Sequence, residues 1–248
     1  MDVKIEGAGP AEPFLAAGSL LETQCRLDRP VTVTVVDDSD ERTRVGHTED
    51  GHRLTISRQA ATSAIARELA LHEFAHMHHY ERGHPSHTQS TEEAIYLGLA
   101  GQQVEQRKLT HCYQIANHMK DIYADDLWME VAPADKLVGF LEASLASSLA
   151  DRDSGPQGWE RLAAGSDAEI TAVNAAFALG LVERHNLADP DHQLYDLAHA
   201  AAADAPTIEF ERFRTLFKSL ATDPDESEYR KRLVGITRAY AGGEQAAD

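Results

Sequence analysis

Lysine, cysteine and long apolar runs are what this 248-residue chain has least of. Only 6 of its 23 cations are Lys and 17 are Arg, while Asp and Glu together number 41, for a formal net charge of −18. An anionic excess of that size repels phosphate backbones and acidic lipid headgroups, so neither nucleic acid nor a membrane surface is expected as a partner. An acidic, lysine-poor surface also suits a halophilic protein, whose carboxylates stay hydrated and whose self-repulsion is screened by salt. A GC-rich genome, raising Arg and Ala together, yields the same composition. The two cysteines, Cys25 and Cys112, are far apart and form no CxxC pair, which points to free thiols in a reducing cytoplasm. The longest uncharged run, Ile170 to Val182, has 13 residues, and a bilayer needs roughly 20. The start of the chain carries Asp2 and Glu6, so no secretory signal is expected. Phosphate-binding glycine loops, a GxSxG elbow and a Cys/His nucleophile pairing are all missing, which removes those chemistries.

What is present divides into a mixed beginning and a helical remainder. Val3–Glu6 alternates, Pro13–Leu27 reads as a helix with Phe14, Leu15, Leu20 and Leu21 on its apolar side, and Val31–Val36 (VTVTVV) is a β-branched strand. Arg53–Ser57 follows the turn signal Glu49–Asp50–Gly51 as another strand. Ala60 to Tyr80 contains neither Gly nor Pro and predicts one helix, ended by Gly83, Pro85 and Ser86. Further helices are expected over Thr91–Leu109, with an interruption near Gly98 and Gly101, and over His111–Trp128. Beyond them the pattern predicts helices near 134–150, 167–187, 192–204, 207–221 and 225–241. Ser166 with Glu169, and Asp223 with Pro224 and Glu226, read as helix starts, and Ser154–Gly158 reads as a linker. Trp128, Trp159, Phe140, Phe177, Phe210, Phe213 and Phe217 are expected in the core. The fold class is therefore α+β and mostly helical, a small N-terminal sheet followed by a helical C-terminal half.

One motif carries chemistry. His72–Glu73–Phe74–Ala75–His76 reads HEFAH, inside an unbroken apolar stretch with Leu69, Ala70, Leu71 and Met77. On a helix, positions i and i+4 share a face about 5–6 Å apart. Two imidazoles so placed can hold one zinc ion, and the Glu between them can take a proton from a zinc-bound water. Composition alone yields about 0.06 accidental matches to this pattern in a chain of this length.

At these residues the chain resembles the zincin superfamily of metallopeptidases. The metzincin branch needs Gly and His where this chain has His79 and Arg82, so that branch is excluded. The gluzincin branch takes its third ligand from a Glu on the next helix, often followed by Ala or Gly, and Glu93–Ala94 has that form with sixteen residues between Glu93 and His76. The resemblance implies Zn2+ held by His72, His76 and Glu93, with Glu73 as general base. The resemblance covers about residues 72–95; the linker divides a zincin-like metal-binding domain over 1–152 from a helical region over 159–248, with one continuous domain as the alternative. The chain is similar, too, to an uncharacterised family of haloarchaeal proteins, which implies no activity.

Two roles compete for Glu93, because Ser90–Thr91–Glu92–Glu93 is itself a capping box. Glu105, Asp121 and Glu92 are rivals for the third ligand. Asn117, Asp121 and Asp125 share a helical face next to His118, where a carboxylate that orients a metal-bound imidazole is expected. His78, His79, His84 and His87 crowd the loop after the motif helix, free to bind metal adventitiously, to line the cleft or to be exposed, and exposure is the expectation. His111, Tyr113, His118 and Tyr123 are candidates to stabilise an oxyanion. The sequence thus predicts a cytoplasmic zinc-dependent hydrolase, a metallopeptidase acting on a peptide or protein substrate. A non-catalytic relative that keeps the metal site is the alternative, and a helical interaction protein with an accidental motif is a third.

Overall fold

In the computed structural model, which describes residues 1–150 and 167–242, the run VTVTVV lies inside a four-stranded sheet. The strands are β1 (Val3–Gly7), β2 (Val31–Val36), β3 (Arg44–His47) and β4 (His52–Ser57), in the order β1-β2-β4-β3. β2 runs parallel to β1 and to β4, with Val33 level with Ile5 and Leu54, and β3 closes the edge antiparallel to β4. Val31, Val33 and Val35 are buried while Thr32, Thr34 and Val36 are half-exposed, the period of two that a sheet with one packed face imposes. The β1–β2 crossover is α1 (Glu12–Leu21), with a Pro in its first turn and Phe14, Ala17, Gly18 and Leu21 buried at helical spacing.

The expected helix over Ala60–Tyr80 is two helices, α2 (Arg58–Ala61) and α3 (Ala66–Glu81). The Thr62 hydroxyl donates to the Arg58 carbonyl at 2.9 Å and that of Ser63 to the Ala60 carbonyl at 2.8 Å, ending the first helix before the second begins. α3 packs on α1 and on β3. Gly83, at φ +66°, turns the chain sharply after α3 into the short α4 (Pro85–Thr88).

α3 is pinned at its C-terminal end by Glu81. That carboxylate accepts hydrogen bonds from the backbone N–H groups of Asp28 and Arg29, at 2.7 and 2.9 Å, and lies 2.9 Å from His52 Nε2. Burial works to raise its pKa, but the Asp28 N–H, the His52 ring and the Arg29 N–H together hold it below the usual value of 4.5. A lowered folded pKa contributes stability above the unfolded value and loses it as pH falls through the folded one. Glu81→Gln is expected to cost roughly 2 kcal/mol in urea unfolding at pH 7. The gap should narrow towards zero in acid, and a gap independent of pH would show that the ionised carboxylate is not the tie.

The described residues divide into two units, one built from Met1–Thr88 with Lys120–Pro133, the other from Gln89–Met119 with Ala134–Asp248. The second unit contains α5 (Thr91–Leu99), the first part of α6 (Gln106–Trp128), α7 (Asp135–Ala150), α8 (Ala168–His185), α9 (Gln193–Asp204), α10 (Phe210–Lys218) and α11 (Glu226–Ala241). α8 is its hub, packed on α7, α9 and α10, and its stretch Ile170–Val173 and Ala175–Val182 is buried. Gly180 lets α8 approach α10, since a Cβ there would come within 2.8 Å of Phe217 Cβ and 3.0 Å of the Arg214 carbonyl. α11 packs on α5.

The architecture is α+β, with the small sheet N-terminal and the C-terminal half helical. Several local expectations need correcting. α1 stops at Leu21 instead of Leu27, and Leu15 lies on its exposed side. Phe140 is 50% exposed, whereas Trp128, Phe177, Phe210, Phe213 and Phe217 are buried. The start of α11 is capped by Asp225, whose side chain accepts from the Glu228 N–H, two residues beyond the expected Asp223. β3 was hidden by its alternation of Arg, Val, Gly and His, only one of them an apolar strand former. Ser154–Gly158, Trp159 and Ser166 lie outside the described residues, and the described cap of α8 is Asp167. Among the described residues no helix is long and apolar enough to cross a membrane.

Candidate metal centre

Two helical segments of the first unit meet with complementary i, i+4 pairs: His72 and His76 on α3, Asp121 and Asp125 on α6. The His72 and His76 rings stand nearly perpendicular, at 85°, with their Nε2 atoms 3.0 Å apart. Asp121 Oδ1 lies 3.7 Å from the first Nε2 and 3.4 Å from the second. These three residues form a group whose donor atoms could hold a metal ion, and it is the one such group of His, Cys, Asp and Glu found among the described residues. All three side chains are partly exposed, at 21%, 15% and 26%, so one side of the group is open to a small molecule.

The rear nitrogens of both rings are engaged. His72 Nδ1 is 2.7 Å from Asp125 Oδ1, and that oxygen also accepts the Trp128 indole N–H at 2.7 Å. That oxygen is an acceptor, so His72 donates to it from Nδ1, and its Nε2 faces His76. His76 Nδ1 is 2.7 Å from His87 Nε2, and His87 Nδ1 is 2.7 Å from the Ser86 hydroxyl. Burial, together with the neighbouring His76 and His79, pushes the His87 pKa far down, so His87 is neutral. Burial also opposes charge on His72, yet the Asp125 and Asp121 carboxylates outweigh it and raise its proton affinity well above the ordinary value. The pocket between the imidazoles and Asp121 attracts positive charge.

Glu73 is half-buried within the field of the same groups. Burial raises its pKa, His72 and His76 act to lower it, Asp121 and Asp125 act to raise it, and the sum is upward. A carboxylate whose affinity for a proton is raised in this way accepts one from water more readily than an exposed Glu.

The other expected residues fall into place around or away from this group. Glu93 is exposed in the first turn of α5, in the second unit, and its backbone N–H donates to the Ser90 hydroxyl at 3.2 Å. Of the rivals for third ligand, Asp121 is the one that joins the two histidines. Glu92 receives the Ser90 hydroxyl at 3.4 Å, and Glu105 is exposed, 3.8 Å from Arg107. Asp125 takes the orienting position expected of a carboxylate on that face. The segment after the motif helix is less exposed than expected. His79 donates from Nε2 to the Tyr123 carbonyl at 2.9 Å, and burial brings its pKa down to about 4. His84 and His87 both hydrogen-bond Ser86, which is fully buried. Of the oxyanion candidates, His111 is buried against the Tyr240 hydroxyl and His118 against Asn174, both in the second unit. Tyr113 is 38% exposed and Tyr123 is buried in the first unit. Ser86 and Trp128 were not singled out for the site. The spacing Asp125–Trp128, three residues on one helix, is a signal that could have found the second of them.

Residues 1–242 match a protein family, and the chain belongs to it: it is described as a family of unknown function (DUF5781). No curated protein and no solved structure matches the chain.

Proposed function

We propose, for a chain whose family lends it no activity, that it is a zinc-dependent hydrolase, a metallopeptidase that uses His72, His76 and Asp121 as metal ligands and Glu73 as general base. The observation that carries this reading is the convergence of two imidazole Nε2 atoms and a carboxylate oxygen on one point, with the rear nitrogens of the rings engaged by Asp125 and His87. A tetrahedral ion with bonds of 2.0–2.1 Å separates its ligand atoms by about 3.3 Å. The three separations here are 3.0, 3.4 and 3.7 Å, which bracket that value. Two nitrogens and one carboxylate oxygen are a donor set suited to zinc, and three protein ligands leave the fourth position for substrate or water, the pattern of a catalytic site.

When bound, the ion supplies a Lewis acid that polarises water and a substrate carbonyl. Asp125 keeps His72 in the tautomer that leaves Nε2 free to bind. Glu73 takes the proton of the attacking water and hands it to the leaving amine, so one carboxylate serves first as base and then as acid. The partly exposed side of the group is where a substrate would approach. The free thiols Cys25 and Cys112 and the acidic composition support a cytoplasmic setting.

The test is a titration of metal-free protein with Zn2+, followed by incubation with a mixed-sequence fluorogenic peptide library. One ion per chain and zinc-dependent cleavage are expected. Failure of the folded protein to take up a stoichiometric ion would sink the reading.

A further inference from the structure

The hydrogen bonds behind His76 have only one consistent direction. The Ser86 backbone N–H donates to His84 Nδ1 at 3.2 Å, so that nitrogen bears a lone pair. The Ser86 hydroxyl, 2.6 Å from the same nitrogen, therefore also donates to it. Having given its single hydrogen to His84, the Ser86 oxygen can only accept from His87 Nδ1, 2.7 Å away. With its ring hydrogen on Nδ1, given to Ser86, His87 turns Nε2 to His76 Nδ1, 2.7 Å away, as the acceptor of the hydrogen there. His76 is left with a lone pair at Nε2, the atom that faces His72 and Asp121. The direction thus runs from one backbone amide, through three imidazoles and a hydroxyl, to the front of the metal group.

We propose that Ser86 and His87 are positioning residues for His76: the Ser86 hydroxyl sets the tautomer of His87, and through it the tautomer of His76 that binds metal. The proposal rests on the reading of His76 as a metal ligand. The geometry is built to hold this arrangement. Ser86 is fully buried, the left-handed Gly83 starts the turn that brings α4 back beside α3, and the His84 N–H donates to the His79 carbonyl at 2.9 Å, tying the turn to the helix. Without the hydroxyl, His87 Nδ1–H has no acceptor at Ser86. His87 then gains by moving its hydrogen to Nε2 and donating to His76 Nδ1, which sends the His76 hydrogen to Nε2 and blocks the ligand atom.

The experiment uses full-length protein labelled with 15N at histidine, in which long-range proton–nitrogen correlations show which ring nitrogen bears hydrogen. In the metal-free wild type, His76 and His87 are expected as Nδ1–H tautomers. Ser86→Ala is expected to shift both towards Nε2–H and to weaken Zn2+ binding about 10- to 100-fold. Its thermal midpoint without metal should change little, and Ser86→Thr should restore binding by returning the hydroxyl. A wild-type His87 protonated at Nε2 would overturn the proposal without recourse to any variant. So would a Ser86→Ala protein that binds Zn2+ as tightly as a wild type shown to bind one ion. Wild type with the expected tautomers but no zinc uptake would leave the relay standing and remove the metal reading instead.

Discussion

Glu73→Gln is expected to keep one zinc ion per chain while losing about 10²–10⁴-fold in peptide hydrolysis, the range that positioned acid–base groups contribute. The substitution is nearly isosteric, and Glu73 supplies none of the three atoms that converge on the metal position. What changes is the base. A carboxylamide cannot take a proton from water, whereas Glu73 sits in surroundings that raise its proton affinity. The loss should fall on kcat more than on KM, because the interaction is made with the proton in flight and not with the bound peptide. Metal analysis alongside steady-state kinetics checks both halves. Undiminished cleavage in a zinc-loaded variant removes Glu73 from the chemistry. A variant that binds zinc and keeps its cellular role would favour the metal-binding relative that does no catalysis.

The second large effect separates Glu93, the third ligand that the resemblance implies, from its rival Asp121. Asp121→Ala is expected to weaken Zn2+ binding by at least about a hundredfold, more than the loss of an orienting neighbour causes, since a direct ligand disappears. Glu93→Ala should leave the Zn2+ affinity as it was and change stability by no more than about 0.5 kcal/mol, the worth of an acidic residue in a helix's first turn. Asp121 Oδ1 lies 3.4 Å from His76 Nε2, while Glu93 is exposed at the start of α5. Competition titration against a chromophoric chelator measures both constants. The reverse order, with Glu93→Ala the damaging change, would restore the gluzincin-like ligand set and reject the one built here.

How much was legible depends on the distance over which the physics acts. The β-branched run Val31–Val36 and the i, i+4 pair His72/His76 are local patterns, and both appear where the sequence places them. The bounds of α7, α8, α9 and α11 follow the expected spans to within two residues for the same reason, because caps and apolar periodicity are short-range signals, whereas α5 ends at Leu99 and α6 already begins at Gln106. What failed was of two kinds. Hydroxyls that bond backward to carbonyls, as at Thr62 and Ser63, split a stretch with no Gly or Pro. The choice among Glu92, Glu93, Glu105 and Asp121 depended on which segment returns to α3, and no local pattern encodes that. The histidines near the end of the motif helix looked like a solvated run. Their engagement with Ser86 and the Tyr123 carbonyl comes from the turn at Gly83 and the approach of α6.

The unit that carries the imidazole pair is discontinuous, closed by Lys120–Pro133 after a detour through Gln89–Met119. During synthesis, then, His72 and His76 leave the ribosome well before Asp121 and Asp125, and for that interval the nascent helix presents two nitrogens with neither carboxylate to complete or orient them. An ion captured then would meet only two of the three proposed ligands. Final assembly of the pocket waits on the later stretch, so any truncation ahead of residue 120 would strand the motif helix without the acidic partners that give it meaning.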